Sequence, residues 1–167
     1  MSRRLFAVIR TLVVSIVFVS IWTWFLPRWF AGGPLVPGRP AGWILMVIGG
    51  AIMVRCCWDF AWQGLGTPFP VDPPRHLVVS GLYRYVRNPM YFGMGVFLIG
   101  EAILIPSITR PMLIMLAILA VAVNVFILAY EEPTLRRKFG DDYRAYCAAV
   151  RRWLPRLRPF DMPRALP

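Results

Sequence analysis

Apolar residues run almost unbroken through four stretches of this chain, about 5–26, 42–62, 90–105 and 112–130, and the polar and charged residues fall between them. A helix crosses a bilayer with ~20 mostly apolar residues, so the pattern predicts an all-α integral membrane bundle of four spanning helices. "AGGPLVPGRPAG" between the first two stretches is too rich in Pro and Gly for a helix and predicts a short loop. The short "PSITRP" segment predicts that the third and fourth helices form an antiparallel hairpin. After the fourth stretch, Leu135, Phe139, Tyr143, Tyr146 and Val150 recur at helical spacing among basic residues. That pattern predicts an amphipathic helix over about 132–150, lying at the membrane interface on the cytosolic side and broken near Gly140.

Composition narrows the class. Of the 167 residues 58% are hydrophobic and 16% charged, which excludes an ordinary soluble domain or a disordered tail, and the length suits a single domain over 1–167. The net charge of +11 would suit nucleic acid in a polar chain, but here the basic residues cluster at the ends of apolar runs. Membrane lipids with anionic headgroups are therefore the expected partner, and nucleic acid is not. Arg3 and Arg4 precede the first stretch, and Trp22, Trp24 and Trp29 stand where a signal peptide would need small residues, so a retained helix is expected. All of the nineteen Lys and Arg except Arg28, Arg39 and Arg110 fall in the N-terminus, the middle polar stretch and the C-terminal tail. By the positive-inside rule those segments, and both termini, are cytosolic, with the plasma (inner) membrane as the expected location. Cys56, Cys57 and Cys147 are odd in number and read as reduced thiols, and His76, the one histidine, has no ligand-spaced neighbours, so no metal is expected.

Three groups of residues carry candidate chemistry. In "GLYRYVRNPMYFG", Asn88 followed by Pro89 is a helix start: Asn can cap the free amides and Pro lacks the amide that would go unpaired. With Arg84 and Arg87 beside it, this terminus is either a cap with two lipid anchors or an anion site. Glu131 and Glu132 follow about twenty uncharged residues and are either the acidic first turn of the next helix, with Arg136 as partner, or ligands for something cationic or hydroxyl-rich. Asn124, seven residues before Glu131, could share their cavity or bond a neighbouring helix; Glu131, Glu132 and Asn124 are the catalytic candidates. Arg55 and Asp59 read as a local ion pair, and Glu101 as a structural hydrogen bond or a side chain reaching outward at the far end of the third span. Two acids facing a basic helix N-terminus suit a zwitterionic ligand.

"LVVSGLYRYVRNPMYFG" and "EEPTLRRKFGDDYRAYCAAVRRWLP", in that order and spacing, resemble the membrane methyltransferases that include isoprenylcysteine carboxyl methyltransferase and phospholipid methyltransferases. The resemblance covers about 64–155. It implies S-adenosyl-L-methionine bound on the cytosolic side and methyl transfer to a lipid-like or small hydrophobic acceptor. It also implies that the positions matching Arg75, His76, Leu77, Val78, Tyr83, Arg87, Asn88, Pro89, Met90, Tyr91 and Glu131 bind that cofactor. Many relatives have His where Asn88 stands, and eukaryotic carboxyl methyltransferases carry Arg where this chain has Ile127, so a prenylcysteine carboxylate is not the expected acceptor. Two other classes remain in view: a sterol-type reductase using NADPH, and a non-enzymatic scaffold holding anionic lipid.

Overall fold

The computed structural model describes residues 25–32, 34, 35, 38–60, 62 and 76–162, with 9, 13, 17, 20 and 21 besides. Most of the first expected span, and Arg75, lie outside the described residues. The described chain is helical: α1 (Leu26–Ala31), α2 (Ala41–Asp59), a 3-10 turn (Gly81–Arg84), α3 (Pro89–Leu104), a second 3-10 turn (Pro106–Ile108), α4 (Thr109–Phe126), a π turn (Ile127–Glu131) and α5 (Glu132–Ala149). No strand occurs among the described residues.

Two helical runs are long and apolar enough to cross a membrane, Ala41–Asp59 and the continuous Pro106–Ala149, while Pro89–Leu104 is apolar but shorter. Their apolar side chains point outward: Val47, Val54, Ile118 and Val121 are among the large hydrophobic residues left exposed. A soluble bundle would bury these positions, so the surface has the polarity of a lipid-facing one.

The closest helix pairing joins α2 to α3 rather than α3 to α4. Glycines explain the preference. A Cβ on Gly49 would lie 2.5 Å from the carbonyl oxygen of Gly93, and one on Gly42 would lie 2.4 Å from that of Gly100. Matching glycines seven residues apart on antiparallel helices bring the two backbones together, the means by which helices associate where water supplies no hydrophobic drive. The hairpin of α3 and α4 forms as expected through the Pro106–Ile108 turn, where the Thr109 hydroxyl donates to the Ala102 carbonyl at 2.6 Å. Met94, Leu98, Ala102, Ile108 and Met112 make the core beneath it.

The segment after α4 departs from expectation in one respect. Helix α5 continues directly from α4 through the π turn and breaks at Gly140, whose φ of 51° is left-handed. Its Tyr143 and Tyr146, with Val150 just past its end, face Leu77, Val79, Phe160 and Met162. The apolar stripe expected on the membrane interface is thus covered by the chain's own loops, because the tail after Val150 folds back across it.

Tight glycine packing sets a measurable contrast. Gly49→Ala should destabilise by about 1–3 kcal/mol through overpacking against the Gly93 carbonyl. Gly95→Ala, where a Cβ meets nothing within 4 Å, should be neutral or stabilising. Thermal unfolding of both variants in detergent checks the difference.

Candidate functional site

The loop from Gly81 to Asn88 is held from three sides. Gly81, at φ 51°, lies against the Arg55–Asp59 pair, which is the local ion pair expected of it (Nη2 to Oδ1, 3.0 Å). A Cβ on Gly81 would stand 2.3 Å from Asp59 Oδ2, so only glycine fits both the turn and the contact. From α5 the Tyr146 hydroxyl donates to the Tyr83 carbonyl at 2.7 Å. From the tail, the Arg156 and Phe160 amides donate to the carbonyls of Tyr85 and Arg84, and the Arg87 amide donates to the carbonyl of Arg151.

These supports present a shallow cleft lined by Phe60, Tyr83, Arg87, Asn88, Met90, Tyr91 and Glu131. Six of those residues belong to the set that the motifs single out. Phe60 was not among them; it sits edge-on to Tyr83 (centroids 5.4 Å apart) and reaches the cleft from the end of α2, for which the local sequence carries no signal. Burial, with Cys56 close by, pushes the Tyr83 phenol well above its ordinary range, so Tyr83 presents a neutral ring.

Asn88 occupies the N-cap position of α3, as expected, but its side chain makes no capping bond. It is only 8% exposed, it lines the cleft, and its Nδ2 has no hydrogen-bond partner. A buried amide donor without a partner costs about 1–3 kcal/mol, a deficit that a ligand acceptor in the cleft would remove. Across the cleft the Tyr91 hydroxyl donates to Glu131 Oε2 at 3.2 Å. Among the described residues no basic side chain stands within 4.0 Å of Glu131.

Glu132 has a different task from its neighbour. Its Oε1 takes Arg87 at 3.0 Å and Arg152 at 2.8 Å, and its Oε2 stands 3.8 Å from Arg136, the helical partner expected for it. Arg87 also donates to Cys147 Sγ at 2.8 Å. One correction follows. Glu132 is filled by arginines and does not line the cleft, whereas Arg87 pairs with it through Nη1 and still lines the cleft, its buried Nε without a hydrogen-bond partner. Arg84 is likewise committed, to the Phe160 carbonyl and the Asp161 carboxylate, and so it ties down the tail instead of flanking an anion site.

The remaining candidates lie elsewhere. His76 is exposed, Leu77 packs under Tyr143 and Tyr146, Val78 is buried beside Cys56 and Tyr83, and Pro89 is buried in the first turn of α3. Asn124 is spent on structure: its amide donates to the Ala120 carbonyl at 2.8 Å and its oxygen accepts from Trp153 Nε1 at 3.0 Å. Glu101 is 2% exposed with Oε2 unpartnered, so it neither reaches outward nor satisfies that oxygen as expected. Cys56, Cys57 and Cys147 are in no disulfide, and no cluster of metal-ligating side chains occurs among the described residues.

The family model for phospholipid methyltransferase matches residues 39–142, and the chain belongs to that family. The match spans α2 to the Gly140 break, hence every residue that lines the cleft. A protein of Haemophilus influenzae (strain Rd), described as an uncharacterized protein, is 51% identical over 37 residues, which are 22% of this chain. The matched part makes up 59% of that relative's own length. No solved structure matches.

The arginine cluster generates its own test. Glu132→Gln leaves Arg87 and Arg152 without their anion in a largely buried setting and should cost about 3–5 kcal/mol of stability. Arg136→Ala removes an exposed, longer contact and should cost no more than about 1 kcal/mol. Denaturant unfolding of the detergent-solubilised variants measures both.

Proposed function

We propose that this member of the phospholipid methyltransferase family transfers a methyl group from S-adenosyl-L-methionine to a lipid-like or small hydrophobic acceptor at the cytosolic face of its membrane. One observation carries the reading: the buried, unpartnered Asn88 amide and the Tyr91–Glu131 pair share a cleft at the N-terminus of α3. The donor set fits that cofactor. Asn88 Nδ2 and the free amides of the first turn of α3 can hold its carboxylate, where the helix dipole also favours negative charge. Glu131 can accept from its ammonium or ribose hydroxyls, and the faces of Phe60, Tyr83 and Tyr91 can pack on its adenine or beside its positive sulfur.

When bound, the cofactor supplies an electrophilic methyl on a positively charged sulfur. The protein's share is alignment and exclusion of water, because a charge that is lost during reaction gains from a water-poor setting. Ile127, 1% exposed at the start of the π turn, is packed in the protein and offers nothing to a carboxylate acceptor. Arg87 lines the cleft but its Nη1 is held by Glu132, 3.0 Å away. Among the described residues the cleft therefore favours an amine, thiol or neutral hydroxyl as acceptor, with Glu131 the group nearest to take a proton. Residues 1–167 form one domain in this reading, with four spans, both termini cytosolic and α5 near the membrane surface.

Detergent-purified protein should bind S-adenosylmethionine in a calorimetric titration, and Asn88→Leu and Glu131→Gln should each weaken binding by about tenfold or more, the equivalent of ~1.4 kcal/mol. Failure of the folded wild type to bind it, with binding of a nicotinamide dinucleotide instead, would assign the chain to reductase chemistry.

A further inference from the structure

The tail after α5 is pinned to the 84–87 loop at separate points. The Arg151 carbonyl accepts from the Arg87 amide, the Arg156 amide donates to the Tyr85 carbonyl, and the Phe160 amide donates to the Arg84 carbonyl. Between these pins the backbone makes two short excursions, 152–155 and 157–159. The sequence there is "WLPRLR", 153–158, a motif that the cleft leaves unused.

Fixed backbone makes the exposure of this segment informative. Leu154 is 62% exposed and Leu157 is 100% exposed, although the flanking residues are held by hydrogen bonds. Two leucines held out on a pinned loop lose apolar burial continuously unless something covers them.

Two features of the surrounding surface bear on what covers them. Trp153 is bonded to Asn124, seven residues before Glu131 and inside the apolar run of α4, so it sits about 10 Å along the helix axis from the level of the cleft carboxylate, at 1.5 Å per residue. The neighbouring surface of α4 is the outward-facing apolar one, with Val121 and Val125 exposed at 66% and 58%. Exposed Arg151 and Arg158 bracket the leucines, and basic residues around an apolar tip suit the anionic headgroup layer above a hydrocarbon boundary.

We propose that residues 153–158 form a membrane-docking loop that inserts Leu154 and Leu157 into the boundary region of an anionic bilayer, with Trp153 anchoring it to α4. The partner is lipid, and the surface moves the membrane contact from α5, whose apolar stripe is covered, to the tail. The inference goes beyond methyl transfer and rests on α4 crossing the bilayer.

The test places a fluorescent side chain at single positions of the full-length protein, reconstituted in vesicles of phosphatidylcholine and phosphatidylglycerol. Leu157→dansylalanine should be quenched by spin-labelled lipid and shielded from iodide. Asp141→dansylalanine, on the exposed flank of α5, should be open to iodide, and Val121→dansylalanine should report α4 itself. Iodide quenching at position 157 equal to that at position 141 would overturn the docking loop. If position 121 is also open to iodide, the spanning reading of α4 falls with it. Thermal unfolding of each labelled protein shows that the fold is retained, and because it needs no cofactor it keeps this outcome separate from the methyltransferase reading.

Discussion

The buried carboxylate of Glu132 is the point on which the rest of the site depends. It gathers Arg87 from the loop before α3 and Arg152 from the tail onto one oxygen, with Arg136 on the other. A carboxylate and two guanidiniums removed from most of the solvent are costly to desolvate, and the arrangement holds because each charge is met by another at hydrogen-bond distance. The return is geometric: segments far apart in sequence are fixed to one another, and the loop they fix is the wall of the cleft. Arg87 is thereby drawn toward α5, and its Nε and the adjacent Asn88 amide are both buried at the cleft without a hydrogen-bond partner.

The π turn explains how adjacent glutamates serve opposite sides. Consecutive residues of a helix point about 100° apart, since 3.6 residues complete a turn. The wider turn at Ile127–Glu131 adjusts the register just before α5 begins. Glu131 then meets Tyr91 on α3, while Glu132 meets Arg87 and Arg152. Single-turn π segments are frequent at functional sites because they place one side chain off the regular helical surface without ending the helix.

Local signals in the sequence located most of the frame. Asn88–Pro89 marks the start of α3 and "PSITRP" the turn to α4, while Arg55 and Asp59 pair across one helical turn; each is settled by neighbours within a few residues. Contacts made across the fold were not legible. Nothing near Glu132 points to Arg152, nothing near Asn124 points to Trp153, and the matched glycines of α2 and α3 acquire meaning only once the helices are seen to be antiparallel. Arg84 shows the same limit. Its position beside a helix N-terminus suggests an anion site, but its partners lie on the tail.

With Arg84 committed to the tail, the electrostatics of the cleft become simpler than the basic motif suggests. Its polar features are Arg87 with a free Nε, the Asn88 amide, the partial positive charge of the α3 N-terminus, and Glu131 with the Tyr91 hydroxyl on it. A purely anionic ligand would meet the Glu131 carboxylate, and a purely cationic one would meet Arg87 and leave Asn88 unsatisfied. A ligand carrying a carboxylate and a positive charge a few ångströms apart satisfies both ends at once. Arg84 and Arg152 therefore work outside the cleft, holding the tail and the loop, while Arg87 and Glu131 together set the charge preference within it.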